Sequence, residues 1–495
     1  MSANLKKIRP LGYNETYQLA RYTLNQKWGT SVTCRYQIPE SFTGQDSNTK
    51  LANALHSAIT RVVSGAPLLQ VGCIGENTAN PFWIQLDSVD LSEHVVWVNL
   101  DSDQAMHATI ASHINMRFPD VDKRPGFRVV VMQRVGHSFL DILVVFNHHH
   151  GDGMGAKIFH RFLLLELNKP MSEDDQQSLT ITFEDSSKDF PPPTEKAGDL
   201  TLSPGFLVRE AWKEYKPGAS SVTRPTDAKW APIRSEPHLS KFRVVTIPQN
   251  VLSNTLSACR DHKTTLTALL NCLALISLAS QIGEDLAPGF ASSTAIDQRR
   301  FISPHSKRYP QLDPKETIAN YVTVIYHEFG VDLVSDIRFK LDASAAEGGL
   351  SEEIVDLLWK TSARVRTEIS NRLEMGLRND MVGLMKLVPD WRKRHMKDME
   401  KPRALSWFLT NLGLFEELPA SLSSESYDPK SNWAIRRAQF TASAEVPLSA
   451  LLLAVASVRN GDLVITCSWQ DTVVETSLVE RLVGDMERWL RQIGK

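Results

Sequence analysis

Cysteine is scarce in this 495-residue chain: Cys34, Cys73, Cys259, Cys272 and Cys467 are odd in number, far apart, and form no CxxC pair. That pattern excludes a disulfide framework and a thiolate zinc cage, and it fits reduced thiols in a reducing compartment. Net charge is scarce as well, with 55 Lys and Arg against 57 Asp and Glu for a formal value of -2. No bulk field exists to draw in nucleic acid or an anionic membrane surface, so any anionic ligand must be held by a local cluster of basic groups. Long apolar runs are lacking too. The most apolar stretch, residues 264–282, is interrupted by Thr267, Asn271, Ser277 and Ser280, and reads as a buried core helix rather than a membrane span. The opening MSANLKKIRPLGYNETY has two lysines but no apolar run behind them, so it is not read as a signal peptide. These absences together predict a cytoplasmic, monomeric protein without a transmembrane segment, peripheral membrane association being left open.

What is present is an ordinary globular composition, 42% hydrophobic and 23% charged. The length is about three times the roughly 150 residues that serve as a prior for one domain. Strand-like and helical patterns alternate, which predicts an α/β (α+β) chain. Strands are expected at 31–38, 81–86, 95–99, 241–247, 322–329, 451–458 and 462–469, with an antiparallel hairpin over 127–135 and 139–146. Helices are expected at 49–64, 158–167, 206–215, 251–261, 264–282, across 351–387, and at 474–493. Between 171 and 237 the composition turns acidic, Ser-rich and Pro-rich, a poor basis for one continuous core. The expected division is therefore 1–184, a connection over 185–240, and 241–495.

The most informative segment is 141–157, DILVVFNHHHGDGMGAK, where an apolar strand runs into three histidines, a Gly-Asp-Gly turn and then a helix. His148, Asp152 and Gly153 form an HxxxDG motif. With 14 histidines, about one chance HxxxD is expected, and the chain holds a second in His137 and Asp141. His137 falls in the hairpin turn, where a solvated polar residue is the plain reading. His148 instead ends a buried strand beside glycines. Four readings of that segment compete: a polar strand end and turn, a metal site, a phosphate cradle, and a general base. Adjacent strand histidines point to opposite faces, which weakens the metal reading. The spacing GxGxG is neither a dinucleotide fingerprint nor a P-loop. A histidine with an ordinary pKa near neutrality suits proton abstraction from a hydroxyl or amine.

Two further segments bear on the choice. One is 295–321, AIDQRRFISPHSKRYPQLDPKETIANY, with Asp297-x-Arg299, a basic loop and Asn320; the other is Thr410-Asn411-Leu412-Gly413. With these, and with the opening Arg9-Pro10-Leu11-Gly12 and the closing Gly461-Asp462-Leu463 and Ser468-Trp469, nearly the whole chain resembles the HxxxDG CoA-dependent acyltransferase superfamily, and within it the fungal alcohol O-acetyltransferases. The resemblance implies two chloramphenicol-acetyltransferase-like domains, each a mixed, mostly antiparallel sheet covered by helices, with an active-site channel at their interface. It implies His148 as the catalytic base and Asp152 as an architectural residue paired with Arg299. Gly153 would keep the channel open. Asn411 and Thr410 are candidates for oxyanion donors or a turn. Lys307 and Arg308 are candidates by charge for the phosphates of CoA, or else part of a solvated loop.

The implied activity is transfer of an acyl group, acetyl in first place, from an acyl-CoA co-substrate to a small alcohol acceptor, with no tightly bound cofactor and no metal. The acceptor pocket is expected to be apolar. Two alternatives stand beside it: a condensation-like enzyme using a carrier-protein thioester or an amine acceptor, and a non-catalytic binding protein of the same fold. The chain departs from its wider superfamily in three places. It has no DFGWG run, it has Asn147 where condensation domains carry a histidine, and no flanking adenylation or carrier module is expected.

Overall fold

In the computed structural model, which describes residues 6–42, 47–170, 178–183, 189–215, 224–343, 349–419 and 426–495, the Val- and Ile-rich runs of the sequence assemble two large sheets. The first has five strands in the order Ala434–Ala442, Gly29–Gln37, Phe139–Asn147, Phe127–Arg134, Val95–Leu100. Every neighbouring pair is antiparallel except the last. The second has six, in the order Ser240–Ile247, Leu463–Gln470, Ser449–Val458, Leu405–Phe415, Phe290–Asp297, Val322–Phe329. There the Leu405–Phe415 strand is parallel to both neighbours and the rest are antiparallel. The architecture is thus mixed α/β in two lobes, each sheet mostly antiparallel.

The 127–135/139–146 hairpin forms as expected, with Phe127 opposite Phe146 and Gln133 opposite Leu140. Several strands went unread, among them Phe290–Asp297, Leu405–Phe415 and Ala434–Ala442. Ala434–Ala442 comes from the second half of the chain yet pairs with Gly29–Gln37 of the first, Ala442 opposite Thr30. A register break between Ile435 and Arg437 disturbs its alternation, and its partner lies far away in sequence, so no local pattern announces it. Of the stretch read as a connection, residues 185–188 and 216–223 lie outside the described residues.

The apolar stretch 264–282 becomes the helix Leu266–Gln281, with Thr265 Oγ1 capping the amide of Ala268. It is a core helix, with Leu269, Leu270, Leu273 and Leu278 fully buried, each contributing roughly 1.5–3 kcal/mol. Its buried Asn271 is satisfied by neighbours: the Trp407 indole donates to Oδ1 at 2.9 Å and Nδ2 donates to Thr294 Oγ1 at 3.2 Å. Among the described residues no single helix is long and apolar enough to cross a membrane.

Candidate active site

The strand Phe139–Asn147 delivers His148 to the seam between the lobes. The chain then turns through His149, His150 and Gly151, and Asp152 caps the helix Gly153–Leu167 by accepting from the Gly155 amide at 2.7 Å. Arg299, just past the strand Phe290–Asp297 of the other sheet, donates from Nη1 to Asp152 Oδ2 at 2.8 Å and from Nη2 to Oδ1 at 3.0 Å. The Tyr321 amide adds a third donor at 2.9 Å. Both side chains are buried, at 2% and 4% exposure. Burial works against the Arg299 charge, but Asp152 and Asp297 more than offset it and push the guanidinium pKa up. Arg299 also donates to the Ala319 carbonyl at 2.8 Å, which binds the loop 317–321 to the same knot.

His148 itself is half-buried. Its carbonyl accepts from Asn320 Nδ2 at 2.7 Å, and Asn320 Oδ1 accepts in turn from Asn14 Nδ2 at 3.0 Å. Burial, helped by the nearby Lys27 ammonium and opposed by Asp152, pushes the ring down to about 4. A neutral imidazole follows at pH 7, ready to take a proton.

The two neighbouring histidines do different work. His149 is fully buried and stacks on Trp83 at 5.3 Å; His150 Nε2 accepts from the Gly126 amide at 3.1 Å. The other HxxxD match dissolves: His137 is exposed in the hairpin turn, and Asp141 is held by Arg35 through two contacts of 2.9 Å.

Three further residues at the site carry no motif. The loops 26–29 and 443–446 extend the sheet beyond Thr30 and Ala442, through Ser443 N to Gly29 O at 2.8 Å and Val446 N to Gln26 O at 3.0 Å. They bring Lys27 and Glu445 into a buried ion pair, with Arg21 Nη1 at 3.5 Å from the same carboxylate. Burial opposes it, but Lys27 and Arg21 hold Glu445 down to about 2. One signal was legible: Glu445 is the single charged residue between Arg437 and Arg459, and a lone charge in an apolar stretch needs a partner. Lys27 and Glu445 thus act electrostatically on His148.

A Cβ at Gly153 would lie 2.7 Å from Phe440 Cζ and 2.9 Å from Leu412 Cδ2, so the glycine permits close packing of the helix on the strand Ala434–Ala442. Asn411 uses both ends of its amide on the fold: Oδ1 accepts from the Gly413 amide at 2.8 Å and Nδ2 donates to Thr267 Oγ1 at 3.1 Å. Gly413 has φ +66°, so Asn411 Oδ1 supports a turn, while its Nδ2 keeps a second N–H beyond the bond to Thr267. Thr410 is buried within the strand, opposite Ala454. Lys307 and Arg308 are exposed on the loop beyond Arg299, with the Arg308 guanidinium 5.4 Å from the Tyr309 ring centre.

Two lobes joined at a buried His-x-x-x-Asp-Gly loop form the plan of an acyltransferase. Among solved structures the chain is similar in fold to the trichothecene 15-O-acetyltransferase TRI3 from Fusarium sporotrichioides, with TM-score 0.71 at 13% identity, covering 98% of this chain and 94% of that one. The condensation domain of the monacolin K polyketide synthase MokA is similar with TM-score 0.59 at 11% identity, covering 99% and 98%. The alcohol acetyltransferase family model matches residues 99–484, and the chain belongs to that family; it is an acyltransferase. Curated relatives include a probable alcohol acetyltransferase, FCK4, of Fusarium pseudograminearum, 27% identical over 98% of this chain and 95% of that protein. Another is the probable alcohol acetyltransferase crmB of Aspergillus fumigatus, 22% identical over 83% and 84%.

Proposed function

We propose that the protein transfers an acyl group, acetyl in first place, from an acyl-CoA thioester to the hydroxyl of a small alcohol, with His148 as general base. The observation that carries this reading is the place of His148 at the end of the strand Phe139–Asn147, on a loop braced by Asp152, Arg299 and Asn320, where burial pushes its ring pKa down. As the acceptor oxygen attacks the thioester carbonyl, its proton passes to His148 and a tetrahedral oxyanion forms. The oxyanion collapses, the carbon–sulfur bond breaks, and the imidazolium returns the proton to the departing thiolate. Base catalysis of this kind contributes roughly 10² to 10⁴-fold, and positioning supplies much of the remainder.

A covalent acyl-cysteine has little support, because all five cysteines are buried and burial raises each thiol. Asp152 and Arg299 act on the loop and take no proton. Lys307 and Arg308, exposed beside the Arg299 segment, are the basic pair assigned to the CoA phosphates.

The test is release of free thiol from acetyl-CoA in the presence of an alcohol panel, with an acetylated carrier protein as the competing donor. His148→Ala is expected to abolish release while leaving the melting temperature near that of the parent. Full turnover by that variant removes His148 as the base, and exclusive use of the carrier-bound donor removes CoA.

A further inference from the structure

The opening Arg9-Pro10-Leu11-Gly12 has no part in the chemistry above, yet it carries a helix to the His148 loop. Arg9 donates from Nε and Nη2 to the Pro191 carbonyl at 3.2 and 2.9 Å. A Cβ on Gly12 would lie 2.2 Å from Pro193 Cβ, so the segment lies flush on residues 191–193. The helix Tyr13–Thr23 starts there. In its first turn the buried Glu15 accepts from Arg9 Nη1 and Nη2 at 2.7 and 2.9 Å, from the Gly12 amide at 2.6 Å and from Trp83 Nε1 at 3.2 Å. Trp83 is also the ring on which His149 stacks, and it meets His150 edge-on at 4.7 Å. Glu15 therefore fixes the helix start against the histidine loop.

Asn14, the residue before it, is buried as well. Its Nδ2 donates to the Val322 carbonyl and to Asn320 Oδ1, both at 3.0 Å, and Asn320 Nδ2 donates to the His148 carbonyl at 2.7 Å. Val322 sets the sense of this chain. A backbone carbonyl only accepts, so the Asn14 amide must turn Nδ2 toward it. Asn320 must then turn Oδ1 toward Asn14, which leaves its Nδ2 for His148. The held carbonyl fixes the peptide plane after His148, and with it the direction in which the imidazole leaves the loop.

We infer that Asn14 is a positioning residue for acyl transfer, acting through Asn320 to aim His148 and touching no substrate itself. The inference rests on the reading of His148 as the base. Without Asn14, Asn320 is free to flip, and a flipped Asn320 sets its oxygen against the His148 carbonyl and pushes the loop out of line.

Asn14→Ala, Asn320→Ala and the double variant test the link, with thiol release from acetyl-CoA as the readout. Each single variant is expected to lower kcat roughly ten- to a hundredfold, as a small misplacement of a reacting group does, with both KM values within about twofold of the parent. The double variant is expected to be no slower than the slower single, because the two residues act in series. Ser277→Ala removes a buried bond to Asp485 from the core helix Leu266–Gln281 and controls for lost stability: it is expected to lower the melting temperature and leave kcat unchanged. If Asn14→Ala does not fold, Asn14→Ser, whose hydroxyl still donates to one acceptor, takes its place. Losses in kcat that multiply in the double variant, a loss confined to KM, or an equal fall in Ser277→Ala overturn the inference. A second readout needs no turnover. The ring signals of His148 in protein with isotope-labelled histidine, assigned with His148→Ala, are expected to shift in Asn14→Ala and Asn320→Ala but not in Ser277→Ala. If His148→Ala keeps full turnover while those signals still shift, the base reading falls and the positioning link stands; unshifted signals overturn the link.

Discussion

Arg299 grips both oxygens of Asp152 across the seam between the lobes, at 2.8 and 3.0 Å, from 147 positions further along the chain. The pair is buried, so removing one member strands the other. Asp152→Asn leaves the Arg299 guanidinium without its principal counter-ion, and a loss of about 3–5 kcal/mol is expected. The double variant Asp152→Asn/Arg299→Met recovers much of that stability while activity stays low, because the His148 loop has lost its brace. Denaturant melts of the two single variants and the double variant measure the coupling. An unchanged midpoint for Asp152→Asn removes the brace.

Gly153 meets the late strand at close range. Gly153→Ala forces a methyl into Phe440 and Leu412 and is expected to destabilise by about 1–3 kcal/mol, as overpacking does. Phe440→Leu in the same chain relieves the contact and restores most of the loss. If Gly153→Ala is as stable as the parent, the packing assignment is wrong.

Acid is expected to unfold the protein cooperatively. His113, His148, His150 and His160 are each pushed to about 4 from the usual 6.5, burial being the first cause in every case. All four are neutral in the fold, and the unfolded chain binds their protons below about pH 6.5. Their contribution is complete above that pH and is lost as pH falls toward 4, with a combined slope of about 5 kcal/mol per pH unit in the middle of the range. Melting temperatures from pH 7.5 down to 4.5 check this, and a flat profile contradicts it. Catalysis follows the same sign, since a base held near 4 stays unprotonated well below pH 6.5.

The fold was legible wherever periodicity is local. The hairpin, the core helix over 264–282 and the strand Val322–Phe329 follow from alternation or apolar density within a single window. His148, Asp152 and Arg299 came from motif and resemblance, and the geometry joins them. Lys27 and Arg21 stayed hidden, and Glu445 showed only as a lone charge, because a buried ion cluster has no spacing rule; its members meet only after Gly29–Gln37 and Ala434–Ala442 have paired. The neighbours of Gly153 were not legible, because a sequence shows that a side chain is missing without showing which residues take its place.

That pairing also sets an order on how the molecule is made. The strand Ala434–Ala442 leaves the ribosome about 400 residues after Gly29–Gln37, a delay of roughly 20–80 s at the usual 5–20 residues per second. For that interval the first sheet has a bare margin of amides and carbonyls on Gly29–Gln37, open to mispairing with other nascent chains. Lys27 meets Glu445 only after that strand has paired.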